Sequence, residues 1–163
     1  MAKYISYPDD YNPIREYWEK IQSGEITVSQ KVYKTYQKVI YDLDRENEIY
    51  WYYSPKRANH VLEFFENYLH HSKGKMGGQK VILELWEKAM LATIFGFIDI
   101  DGLRKYQKAM LIVGKKNGKS LISSGVGLYM LCADGEAGPE VYAVARVVAT
   151  LNWAKSVKAK VNT

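Results

Sequence analysis

Val32, Tyr33, Tyr36, Val39, Ile40 and Leu43 keep returning to one side of a 3.6-residue turn, so they predict an amphipathic helix over residues 32–43. The same spacing recurs in Ala58, Val61, Leu62, Phe65, Tyr68 and Leu69. Its start is marked by Ser54, a good N-cap, and by Pro55 in the first turn, where a missing N–H costs nothing. A shorter helix over residues 14–22 is expected behind Asn12-Pro13 and ends at Ser23-Gly24. Leu85, Trp86, Ala89, Met90, Ile94 and Phe97 mark a fourth helix, closed around Gly96 and the acidic turn Asp99-Ile100-Asp101-Gly102. Residues 72–79 contain three glycines and form the clearest break between these helices.

From Lys108 the pattern changes. Ala109-Met110-Leu111-Ile112-Val113 is a short continuous apolar run bounded by turn signals, as in a buried strand of a parallel sheet. A helix is predicted over residues 118–131, a second strand over Val141-Tyr142-Ala143-Val144-Ala145, and a second helix over 149–161. The expected class is α/β: a helical N-terminal region over residues 1–107, then the start of a P-loop NTPase parallel sheet over 108–163, incomplete in this sequence. No internal repeat or low-complexity segment interrupts it.

Composition supports a folded chain. Among 163 residues, 47% are hydrophobic and 25% charged, and four Trp, fourteen Tyr and four Phe supply large apolar groups for a core. The single cysteine, Cys132, excludes an internal disulfide and is expected to be a small buried residue on its helix. His60, His70 and His71 form no ligand set at helical spacing, so no structural metal is predicted. Residues 1–10 are polar and aromatic, unlike a secretory signal, and the longest apolar run, 89–98, is about half of the roughly 20 residues that span a bilayer. A cytoplasmic protein without membrane contact is expected. The net charge of +5 is concentrated late: Lys115, Lys116 and Lys119 cluster, and no acidic residue follows Glu140. That distribution suits an anionic partner, phosphate or nucleic acid, although a solvated basic helix face explains the tail equally well.

The cluster falls in Gly114-Lys115-Lys116-Asn117-Gly118-Lys119-Ser120, between the expected strand and helix. A triphosphate needs several converging donors, and a tight turn opening a helix supplies backbone N–H groups and the positive end of the helix dipole. Gly114 and Gly118 would let the backbone approach, Lys119 would neutralise the β- and γ-phosphates, and the Ser120 hydroxyl would hold Mg²⁺. The match is a variant, because Val113 stands where the first glycine is usual. Two other acidic features are weaker. Asp99 and Asp101 lack the ligand count of a calcium loop. Val39-Ile40-Tyr41-Asp42 has the form of a Mg²⁺-positioning strand but lies on the helical stripe. Beyond the loop, no apolar strand ends in the Asp or Asp-Glu that a P-loop NTPase uses to orient Mg²⁺ and water.

An ordered set of segments resembles the large terminase subunits of tailed phages of the HK97-like group. It comprises Tyr17-Trp18-Glu19-Lys20-Ile21-Gln22-Ser23-Gly24, then residues 56–66, then Leu83-Glu84-Leu85-Trp86-Glu87 with Ile94-Phe95-Gly96-Phe97, then 113–120, and finally 133–142. The resemblance implies the N-terminal part of an ATPase that threads double-stranded DNA into a procapsid, with a nuclease domain further along the polypeptide. It also implies ATP and Mg²⁺ as cofactors. The implied partners are DNA, the portal protein, the small terminase subunit and further copies of the chain, working in the host cytoplasm. Carried over by position, Lys119 and Ser120 would contact phosphates and Mg²⁺, and Lys115 would sense the γ-phosphate. Trp86 and Glu87 would fall in the nucleotide-base motif, which usually reads Trp-Gln, so the departure at Glu87 bears on base selectivity. Hydrolysis would require residues that the sequence does not contain. Two alternatives are a small P-loop kinase and a non-catalytic helical module that binds DNA phosphates.

Overall fold

A computed structural model describes residues 4–45, 50–71, 76–115 and 117–142. In chain order the elements are α1 (Pro13–Gln22), α2 (Gln30–Asp44), β1 (Tyr52–Tyr53), α3 (Pro55–Tyr68), α4 (Leu85–Gly96), β2 (Phe97–Ile98) and α5 (Lys119–Cys132). They fall into two compact units, one formed by residues up to 67 with 82–110, the other by 68–81 with 111 onward.

The first unit is helical and its helices start where the caps stand. Asn12 accepts hydrogen bonds from the N–H groups of Ile14 and Arg15 at 3.1 and 3.2 Å, Ser29 caps α2 through Val32, and Ser54 accepts from Arg57 at 3.4 Å. Helix α1 packs on both α2 and α4, burying Ile14, Tyr17 and Ile21 with Tyr36, Val39 and Leu43. Along α3, Ala58, Val61, Leu62 and Phe65 are fully buried, as their period requires, while Tyr68 at the end of the stripe is exposed.

Helix α4 is apolar nearly all round, and its innermost side carries Leu91, Ala92 and Phe95 beside Ala89; Met90 and Ile94 of the expected stripe are half-buried. Phe97 closes that stripe in the sequence but lies outside the helix. It enters β2, which pairs antiparallel with β1 in the register Tyr52 to Ile98 and Tyr53 to Phe97. Gly96 sits under the Tyr53 ring, where a Cβ would come within 2.6 Å of Cε2, and its carbonyl accepts from the Ser54 N–H at 2.8 Å. Glycine is needed here for close approach.

Residues 4–11 are held along α3 by side chains. Asn67 accepts from the Ile5 N–H at 2.8 Å and donates to the Ile5 carbonyl at 2.7 Å, Glu63 accepts from the Tyr7 N–H at 2.9 Å, and Asn59 donates to the Pro8 carbonyl at 2.8 Å. The Tyr7 hydroxyl donates to the buried Glu66 carboxylate, and Tyr7 stacks on Tyr11 with ring centroids 4.7 Å apart.

In the second unit, the flanks of the 72–79 break pair with one another. The His71 N–H donates to the Gln79 carbonyl at 2.9 Å and the Val81 N–H to the Leu69 carbonyl at 3.0 Å, burying Leu69 and Val81. Helix α5 forms where the sequence places it, with Ile122, Gly125, Gly127 and Tyr129 buried. Cys132 is exposed, contrary to expectation, because it is the last residue of α5, where the chain leaves the helix and the Ala133 and Asp134 N–H groups turn back to the Tyr129 carbonyl.

The parallel sheet expected from residue 109 is not formed among the described residues. Residues 109–113 belong to no strand, and Met110 and Ile112 are 86% and 85% exposed. Such a run is buried only when strands pair on both sides and helices cover both faces, and those partners are distant in sequence. Val141 and Tyr142 are in no strand, and Tyr142 is exposed; the rest of the expected second strand and the helix over 149–161 lie outside the described residues. Mixed helix and strand therefore stands as the class, with a two-stranded antiparallel sheet as the sheet observed.

Candidate nucleotide-binding site

The turn before α5 is organised by Gly118. Its backbone is left-handed, with φ 66° and ψ 1°, and it serves as the helix N-cap without a side chain to offer. The first helical hydrogen bond runs from the Ile122 N–H to the Gly118 carbonyl at 2.9 Å. The N–H groups of Lys119, Ser120 and Leu121 precede it and so have no acceptor within the helix. No acidic residue stands in the first turn and no side chain caps it. The positive end of the helix dipole therefore meets no acidic side chain of its own first turn.

Lys119 and Ser120 are both exposed in that turn. The Lys119 ammonium reaches back across the loop to the Val113 carbonyl at 3.5 Å, the outer limit of a hydrogen bond. The lysine thus folds over the loop it would share with a phosphate. Gly114 does not adopt a left-handed backbone, and a Cβ there would meet Asn117 Nδ2 at 3.4 Å, an ordinary contact. Lys115 and Asn117 are exposed; Lys116 lies outside the described residues. The buried Ile122 and Tyr129 fix α5 behind this exposed end. An uncapped helix start with a lysine and a hydroxyl in its first turn fits a phosphate with a divalent cation.

Trp86 and Glu87 belong to the first unit and open α4. Trp86 is half-buried against the hydrophobic core. The Glu87 carboxylate accepts from the Glu84 N–H at 2.9 Å, bonding back from the third helical position to the N-cap. This local role was not anticipated, because glutamate is outside the usual N-cap set; the glutamate three residues on was the available signal.

The other acidic features are structural. Asp99 is 2% exposed, and its carboxylate accepts from the N–H groups of Asp101 and Leu103 at 3.0 and 2.8 Å, shaping the turn that Gly102 completes with φ +79°. Asp42 stands on α2 and pairs with Lys105. Among the described residues, no group of three His, Cys, Asp or Glu is placed to hold a metal ion, and no helix is long and apolar enough to cross a membrane.

Residues 85–159 match the family model of the terminase large subunit, ATPase domain. Over those residues the chain is similar to that ATPase domain. The terminase match begins at the first turn of α4, includes Trp86 and Glu87, and runs through the glycine-lysine loop and α5. Neither a curated protein nor a solved structure matches the chain.

Proposed function

We propose that the terminase loop from Gly114 to Ser120 binds the phosphates of ATP with Mg²⁺, and that the chain supplies the nucleotide-binding part of a motor that packages double-stranded DNA in a tailed phage or prophage. The observation that carries this reading is the left-handed Gly118 opening an uncapped helix whose first turn bears Lys119 and Ser120. The family match over the same residues supports it.

In this reading the N–H groups of Gly114, Lys115, Asn117, Gly118, Lys119 and Ser120 would surround the phosphate oxygens, with Lys116 assigned to the same loop by its position in the sequence alone. Lys119 leaves the Val113 carbonyl for the β- and γ-phosphates, and Lys115 approaches the γ-phosphate. Ser120 offers its hydroxyl to Mg²⁺, which when bound neutralises phosphate charge. Trp86 and Glu87 are the residues that the resemblance assigns to the nucleotide base, and Glu87 is also committed to its own helix start. After Ser120 the acidic residues are Asp134, Glu136 and Glu140, none ending an apolar strand, so the carboxylates that orient Mg²⁺ and water come from residues that the sequence does not contain. The portal protein, the small terminase subunit and further copies of this chain are the partners in the assembled motor, in the host cytoplasm.

Binding of a fluorescent ATP analogue, with and without Mg²⁺, tests the reading. Lys119→Ala should weaken binding at least tenfold, and Ser120→Ala should remove most of the Mg²⁺ dependence. Binding that neither substitution changes, or no binding at millimolar nucleotide, sinks it.

A further inference from the structure

Lys31, Lys34, Lys38, Tyr41 and Arg45 follow one another at steps of three, four, three and four residues along α2. At roughly 100° per residue they fall within an arc of about 80°. Tyr36, Val39 and Leu43 occupy the buried side of the same helix, so the basic arc faces outward, and Lys31, Lys34, Lys38 and Tyr41 are all exposed.

The charge of the three ridge lysines is not cancelled by the described acidic residues of α2. The two acidic residues of α2 are each held by a cation from elsewhere: Asp44 by Arg15 at 2.7 Å, and Asp42 by Lys105. Among the described residues, Lys31, Lys34 and Lys38 have no ion-pair partner. The Arg45 guanidinium lies over the Tyr41 ring, 4.9 Å from its centroid, and so takes up that ring face.

We propose that the outward face of α2, from Lys31 to Arg45, binds the phosphate backbone of duplex DNA. The proposal rests on the packaging reading for its choice of polymer. The ridge is straight and spans about 21 Å at about 1.5 Å per residue, against a duplex that carries a phosphate about every 1.7 Å of its axis. A protein partner would need apolar anchors, and this arc has none besides Tyr41. Single-stranded DNA would need open aromatic platforms, and Arg45 already lies on the Tyr41 ring. Lysines on flexible stems, unpaired and in line, suit a regular rail of phosphates.

Fluorescence anisotropy of the whole chain with a labelled 20-base-pair duplex, without nucleotide and across 50 to 200 mM salt, tests it. With four phosphate contacts the affinity should fall about 100-fold over that range. The triple variant Lys31→Gln/Lys34→Gln/Lys38→Gln should bind at least tenfold more weakly at 50 mM, with the logarithmic salt slope reduced by about 2.7. The corresponding triple Lys→Arg variant should bind like the parent chain, and Lys119→Ala should leave DNA binding unchanged, so that failure of the ATP reading is seen separately. The proposal is overturned if the Lys→Gln variant, melting like the parent, keeps the parent's affinity and slope. It is overturned equally if polyglutamate binds as tightly as DNA, or if Lys119→Ala alone abolishes DNA binding.

Discussion

The Lys88 ammonium lies 3.3 Å from Oε1 of Glu66, and that carboxylate is 2% exposed. The same oxygen accepts from the Leu83 N–H at 3.0 Å, while the other oxygen accepts from the Tyr7 hydroxyl. Lys88 also stands over the Tyr7 ring, 5.1 Å from its centroid. One buried carboxylate thus ties α3, the entry to α4 and the N-terminal segment together.

Removing a single partner from such a cluster leaves a charge in the interior without compensation. Lys88→Met should lower the unfolding free energy by about 3 kcal/mol, the lower end of the range for buried pairs because Lys88 is partly exposed. Glu66→Gln/Lys88→Met should recover part of the loss. Urea midpoints of the parent chain and the two variants check this, and a neutral Lys88→Met would show that the pair contributes nothing.

Gly96 and Tyr53 make a second pair of opposed expectations. Gly96→Ala places a methyl 2.6 Å from a ring that is 6% exposed and flanked by Phe97, so it should cost about 1–3 kcal/mol by overpacking. Tyr53→Phe should be neutral or slightly stabilising, because the Tyr53 hydroxyl is buried without a hydrogen-bond partner. Thermal melts of both variants separate shape from polarity at one contact.

The two glycines of the loop should respond unequally. Gly118→Ala forces an L residue to φ 66° and should weaken ATP binding at least tenfold, while Gly114→Ala meets only an ordinary contact with Asn117 and should weaken it far less. Equal losses in the fluorescent-nucleotide titration would mean that the backbone of Gly118 is not what prepares the site.

Alkaline pH should unfold the protein before all its tyrosines ionise. Burial, with Asp42 nearby, pushes the Tyr106 hydroxyl up to about 12, and burial likewise raises Tyr7, Tyr11, Tyr17, Tyr36 and Tyr53. The folded state keeps these protons while the unfolded chain releases them near pH 10, so stability is intact below about 10 and falls as pH rises towards 12. Absorbance at phenolate wavelengths should show exposed tyrosines ionising first and a second, cooperative step coinciding with loss of the helical signal. One smooth titration with the helices intact would contradict it.

What the sequence made legible was local. Asn12-Pro13 and Ser54-Pro55 announce α1 and α3, and the apolar stripes of α2 and α3 name most of their buried residues. Strands β1 and β2 have two residues each, too few to show a period, and their pairing depends on Gly96 admitting a ring from 43 positions earlier in the chain. The run at 109–113 has the composition of a buried strand, but pairing is a property of its neighbours. In the loop, spacing singled out Gly118, Lys119 and Ser120 as candidates and placed the helix start, yet not the lysine's reach to Val113. Trp86-Glu87 enters as a candidate through resemblance alone, whereas the bond from the Glu84 N–H to the Glu87 carboxylate is a matter of helix geometry.

Asn67 both accepts from and donates to the peptide of Ile5, so a single amide on α3 imitates one rung of a β-ladder. An aminopeptidase trimming the chain inward would have to break that rung to pass Ile5. Digestion beyond it would strip Tyr7 from Glu66 and wet a carboxylate that three elements share, so the first residues act as a seal on the helical unit.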